Sequence, residues 1–189
     1  MSRVKNYLLV AAVAAALAAY GAADAQSMGG SDPMVGGAAM YPSKNIIENA
    51  MNSSDHTTLV AAVKAAGLVD TLEGPGPFTV FAPTNEAFAK LPAGTVQTLL
   101  EPADKDTLVK ILTYHVVSGA MTARDLKAAI KAGGGKATLT TVEGEPLTAA
   151  IVDGQITLTD AKGGMATVTI PNVIQSNGVI HVVNAVLMP

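Results

Sequence analysis

The sequence has no cysteine and no tryptophan. Without thiols there can be no disulfide framework, no thiolate metal site and no cysteine nucleophile. Stability must come from a packed core. Aromatic residues make up only 4% of the chain, which leaves few rings to stack on bases. Charge is also sparse, at 14%. The 12 Lys and Arg form no cluster against 15 Asp and Glu, so the positive face that nucleic acid needs is missing. The three histidines, His56, His115 and His181, stand far apart with no H-x-x-x-H spacing, and no zinc motif results. No G-x-S-x-G elbow occurs, and Gly133–Gly135 lacks the Lys-Ser/Thr of a phosphate loop. Asp153 and Asp160 flank one short strand and read as turn formers, not calcium ligands. The expectation is no enzyme, no cofactor and no metal.

What is present begins with an export pattern. Arg3 and Lys5 precede an apolar Ala/Leu run, Tyr7–Ala23, and Ala23-Asp24-Ala25 is a small-x-small cleavage site. The rival reading, a membrane anchor, is disfavoured because the run is short and mostly alanine. Residues 1–25 are therefore expected to be a signal peptide, and the mature chain to be secreted, whether extracellular, on the cell surface or in the periplasm, without a membrane span. Gln26–Pro42 is Gly-, Met- and Pro-rich without periodicity and reads as a flexible arm. Met28, Met34 and Met40 recur evenly, but no His or Cys flanks them to make a copper site. Residues 43–189 form one domain.

In that domain helices come first. Periodicity predicts helices over 43–53, 53–72, 93–102, 103–115 and 122–132. Ser54 or Asp55 can cap the second, with Leu59, Val60 and Val63 on one face and Gly67 at its exit. Thr122 and Asp125 stand at capping-box spacing. One early strand is expected at Phe78–Ala82. From Ala137 the period changes to two, with Asp153-Gly154 and Asn177-Gly178 among the turn pairs. Segregated runs of helix and strand argue for an α+β fold, with the early strand reaching into the later sheet.

Two places invite a functional reading. At the corner "TVFAPTNEAFAKLP", Thr84 suits a helix N-cap, Glu86 sits in the first turn, and Phe88 and Leu91 are spaced to pack inward. Every residue there has a structural task. His115 continues the apolar stripe of Leu108, Ile111 and Leu112, and His181 alternates with Val179 and Val183. Both read as interior histidines whose nitrogens find partners.

Three segments in order, "FTVFAPTNEAFAKLP", "LVKILTYHVVSGAMTARDL" and "NGVIHVVNAVLMP", resemble the fasciclin-domain family. The resemblance covers about Ser43–Pro189. It implies a bent β-sheet wedge of short strands flanked by several short helices. Thr84, Asn85, Phe88, His181 and Asn184 fall in its signature segments as structural residues. It also implies a non-enzymatic adhesion module that binds a cell-surface or matrix protein or polysaccharide. In animal members the Tyr-His motif and nearby Asp/aliphatic pairs are linked to integrin contact. Carried onto this chain, that marks Asp106, Leu108, Tyr114 and His115 as candidate partner-binding residues. The bacterial type of leader argues against integrin as the native partner, and Leu108 also lies on the expected core stripe. Some members resemble carotenoid carriers, so the alternative is a carrier of a small hydrophobic ligand such as a carotenoid or lipid. A composition of 49% hydrophobic residues with 8 Met permits it.

Overall fold

A computed structural model describes residues 32–189. The expected signal peptide and the first residues of the arm lie outside them. The described chain opens with a tight hairpin, β1 (Met34–Val35) and β2 (Ala38–Ala39). Helices α1 (Ile46–Asn52), α2 (Thr57–Ala66) and α3 (Val69–Glu73) lead into β3 (Phe78–Pro83). Next come α4 (Asn85–Ala89), α5 (Thr95–Leu99), α6 (Lys105–Tyr114), β4 (Val116–Ser118) and α7 (Ala123–Ala132). Five strands close the chain: β5 (Lys136–Thr140), β6 (Pro146–Val152), β7 (Gln155–Thr159), β8 (Met165–Gln175) and β9 (Gly178–Val183).

The α+β segregation appears as expected, and so do several local signals. Thr122 and Asp125 form the expected capping box on α7, and Asn45 and Glu48 form a second, unforeseen one on α1. Gly67 leaves α2 with φ 72°, a left-handed conformation that glycine adopts without the steric cost of a Cβ. The flexible-arm reading needs correction over Asp32–Pro42. That segment belongs to the folded body, with Val35 and Met40 in the core. Ser54 donates to the Gly36 carbonyl from both its N–H (3.3 Å) and its hydroxyl (2.7 Å). The Asn49 side chain accepts from Tyr41 N–H at 3.1 Å and donates to its carbonyl at 2.8 Å. Two-residue strands are too short to show a period. The usable signal was Gly36-Gly37, both at positive φ, which is hairpin-turn chemistry.

The main sheet has seven strands in the order β4-β3-β9-β8-β7-β6-β5. All neighbours are antiparallel except β3 and β9, which run parallel from Phe78↔Gly178 to Pro83↔Val183. Strand β8 pairs with β7 at one end and with β9 along the rest, and its register shifts twice around Ile170. The strand runs continuous and bent past Pro171, with Asn172 at φ 61°. A bridge from Val117 to Thr141 brings the two edges of the sheet together, so the wedge approaches a closed barrel. Closure leaves little unpaired edge.

The parallel pair is buried on both faces, which is why β3 and β9 read as continuous apolar runs. Val80, Ala82, Ile180 and Val182 face one core, beneath α1, α2 and α6. Phe81 and Val183 face a second core, which α7 closes over β5–β8. At the start of the pair the backbones nearly touch. A Cβ on Gly178 would lie 2.1 Å from the Phe78 carbonyl oxygen. Gly178→Ala must therefore push the two strands apart. It is expected to cost about 1–3 kcal/mol, read as a lowered urea midpoint with unchanged slope. An unchanged midpoint would contradict the close approach.

Candidate functional site

The corner after β3 is a structural joint. The Thr84 hydroxyl accepts from Ala87 N–H at 3.2 Å and so caps α4. Asn85 reaches further. Its Oδ1 accepts from Thr58 N–H (3.0 Å) and the Thr57 hydroxyl (3.2 Å), and its Nδ2 donates to the Ser54 carbonyl (2.8 Å). Helix α2 has no side-chain cap of its own. The expected caps, Ser54 and Asp55, lie in a 3₁₀ turn before it, and Asn85 supplies the bond from across the fold. Phe88 is buried beneath this joint. Asn184 ties in the other end. Its Oδ1 accepts from Thr167 N–H at 2.8 Å, and its carbonyl accepts from the Lys90 ammonium at 2.8 Å.

The Tyr-His pair closes α6. Tyr114 is 0% exposed; its hydroxyl donates to the Pro146 carbonyl at 3.0 Å and accepts from Ala161 N–H at 3.2 Å. Burial pushes its hydroxyl pKa up. His115 is 2% exposed. Its Nδ1 meets the Ile111 carbonyl at 2.8 Å, and its Nε2 accepts from Leu187 N–H at 3.0 Å. A carbonyl can only accept and an amide N–H can only donate. The proton therefore sits on Nδ1 and the ring is neutral. Burial drives its pKa down to about 4, against smaller opposing effects of the Ile111 carbonyl and Asp160.

His181 carries the opposite tautomer. Its Nδ1 accepts from Asn172 N–H at 3.3 Å, and its Nε2 donates to the Met121 carbonyl at 2.8 Å. It stacks on Phe81 with centroids 5.7 Å apart. Burial lowers its pKa as well. Each imidazole is thus a cross-tie between backbone segments, with no free nitrogen for catalysis.

Of the four candidate partner-binding residues, Asp106 is exposed on α6. Leu108 points into the core at 3% exposure, beside the sealed Tyr114 and His115. The motif therefore brings together three interior side chains and one exposed carboxylate. Among the described residues no group of three or more His, Asp or Glu is placed to hold a metal ion.

Sequence reasoning missed three interior polar residues. Asn177 was read as a turn former. Its Oδ1 accepts from Ile46 N–H (3.0 Å), and its Nδ2 donates to the Leu72 (2.7 Å) and Gly74 (2.9 Å) carbonyls. Asn49 is sealed between Tyr41 and Gln175. His56 lines an apolar cavity behind α2. It stands three and seven residues before Leu59 and Val63, a helical phase that pointed it inward.

The comparisons with known proteins agree with this frame. The model of the Fasciclin domain matches residues 54–189. The chain belongs to the fasciclin-domain family. The chain is 49% identical to Protein sll1483 of Synechocystis over 156 residues, 82% of this chain and 79% of that one. It is 36% identical to transforming growth factor-beta-induced protein ig-h3 of Sus scrofa over 132 residues, 70% of this chain but 17% of that longer one. The structure of a FAS1 domain pair from the insect cell adhesion molecule Fasciclin I superposes with TM-score 0.69 at 19% identity, over 78% of this chain and 52% of that one. That likeness shows the fold. The fasciclin signatures here are the joint and the cross-ties described above.

The neutral histidines make stability depend on pH. The unfolded chain takes up protons near pH 6.5, which folded His115 refuses until about pH 4, and His56 and His181 shift the same way. For His115 the stabilisation is full above about pH 6.5 and is lost, at about 1.4 kcal/mol per pH unit, as pH falls towards its folded value of about 4; His56 and His181 lose theirs in the same direction. The urea midpoint should drop between pH 7 and pH 5.5, above the range where carboxylates titrate. A flat midpoint there would contradict the assignment.

Proposed function

We propose that the chain is an exported interaction module without enzymatic activity, engaging a cell-surface or matrix protein or polysaccharide through its outer surface. One observation carries this reading. Asn85, Tyr114, His115 and His181, the conspicuous polar residues of the three family signatures, are committed to backbone hydrogen bonds inside the fold. What remains to meet a partner is the skin. The insect fold relative is a cell adhesion molecule, which supports the reading. So does the sequence-level export pattern. No helix among the described residues is long and apolar enough to cross a membrane.

The contact surface we assign is the outer face of α6. Asp106 and Lys110 lie one turn apart there, both exposed, with Thr107 beside them. Tyr114 and His115 tie the end of this helix to Pro146, Ala161 and Leu187. Asp106→Lys should cut attachment of the source cells to a protein-coated surface at least severalfold and leave the thermal midpoint unchanged. Attachment no better than a blank surface, or equal attachment by the variant, would contradict the proposal.

The cavity behind α2 favours a second reading, carriage of a small hydrophobic ligand. Its lining is almost wholly apolar, and the centre of a water-sized sphere can occupy about 40 Å³ of it. By the same measure a single water needs about 10–15 Å³, so the space as it stands holds only a few atoms. A carotenoid or a full acyl chain would require the helices to open.

A further inference from the structure

Helix α7 carries a charge pattern that the packing of the fold does not use. Its apolar side, Ala123, Leu126 and Ile130, closes the second core. Its outer side presents Arg124, Lys127 and Lys131, all exposed. In the sequence these cations are too dispersed to read as a cluster, and the helix gathers them. Steps of three and four residues at 3.6 per turn place them within an arc of about 60°, along roughly 10 Å of axis. Their exposed neighbours Ala128 and Ala132 are too short to cover them. The layer beneath does not oppose their charge. Helix α7 packs on β5, β6 and β7, and none of these strands contains an acidic residue. Glu143, Glu145 and Asp153 stand in the turns beyond the strand ends. The one acid of the helix, Asp125, is turned back into the capping box, where its Oδ2 accepts from Thr122 N–H (2.9 Å) and hydroxyl (2.6 Å). The result is a positive face on a chain whose net charge is -3. Helix stability accounts for Lys131, which suits the negative C-terminal end. It does not account for Arg124, which sits in the first turn against the positive end.

From this geometry we infer that the outer face of α7 is a docking surface for a linear anionic polysaccharide, one that bears carboxylate or sulfate groups along its length. The inference rests on the reading of the chain as an interaction module, to which it adds a second surface and the chemistry of its ligand. A row of cations on a rigid helix complements a row of anions on an extended polymer. The planar guanidinium of Arg124 can pair with a carboxylate through two parallel hydrogen bonds, and the lysines act as point charges beside it. Other partners fit this face less well. Helix α7 and the three strands beneath it contain no aromatic residue, so no ring is there to stack on a base or a neutral sugar. A helix that docks on a membrane does so through its apolar face, and that face of α7 is buried in the core.

The test follows binding of the purified protein to polygalacturonate, dextran sulfate and neutral dextran by calorimetry at low and at physiological salt. At least one charged polymer should bind saturably, neutral dextran should not, and added salt should weaken the binding. Lys127→Gln/Lys131→Gln should weaken it roughly three- to tenfold, the effect of two exposed charges, and leave the thermal midpoint unchanged. Lys64→Gln/Lys162→Gln removes the same charge from exposed positions elsewhere and should leave binding intact. Equal losses in the two variants would show that net charge alone matters and would overturn the α7 surface. No binding of either charged polymer at low salt would overturn it too. Phosphatidylglycerol vesicles are the competing arm: binding to them tighter than to either polymer, and lost in Lys127→Gln/Lys131→Gln, would overturn the polysaccharide class. Any of these failures beside cell attachment that still depends on Asp106 would sink this inference alone and leave the interaction-module reading standing.

Discussion

The parallel pairing of β3 with β9 is the constraint on which the rest depends. It joins residues a hundred positions apart and is covered on both faces. A buried strand pair has no water to turn to, so every polar group near it must be bonded within the fold. The two cores that cover the pair are apolar and nondirectional, and each fully buried aliphatic side chain in them contributes roughly 1.5–3 kcal/mol. Such packing holds the layers together but does not fix where one segment meets the next. The directional bonds do that. His115 ties the end of α6 to the chain terminus, His181 ties β9 to the segment before α7, and Asn177 ties the β8–β9 turn to α1 and α3.

This division of labour explains why the conspicuous residues of the fasciclin domain here are not reactive. A group that both donates to a carbonyl and accepts from an amide is locked in one protonation state. It cannot serve as an acid or base without breaking a bond that holds two elements together. Tyr114 is used in the same way, between β6 and the β7–β8 turn. On the reading proposed above, recognition falls to surfaces whose shape the interior fixes, the outer face of α6 among them.

Much of the frame was legible in the sequence because its signals are local. The capping pair Thr122/Asp125, the Gly67 exit and the period-two runs after Ala137 each declare an element within a few residues. The double-sided burial of Phe78–Ala82 announced that this strand enters the sheet. What stayed hidden is nonlocal. No residue near α2 reveals that Asn85 caps it, and nothing near Asn177 shows that it bonds Ile46 and Leu72. The bend that keeps β8 continuous past Pro171 depends on two neighbours claiming different ends of one strand. For the site, the helical phase of His115 and the alternation of His181 gave their burial. The carry-over from the family motif placed Tyr114 and His115 at a contact surface. Their phase with the core is what the structure follows.

Imidazole nitrogen NMR reads these cross-ties most directly. At pH 7 the account requires two neutral rings in opposite tautomers, His115 protonated on Nδ1 and His181 on Nε2, each giving distinct signals without averaging. The His115 signal should not move as pH is lowered to about 5.5. Rapid tautomer exchange in both rings, or titration of His115 near its ordinary value of 6.5, would show that these histidines are free groups and that the interior frame is wrong.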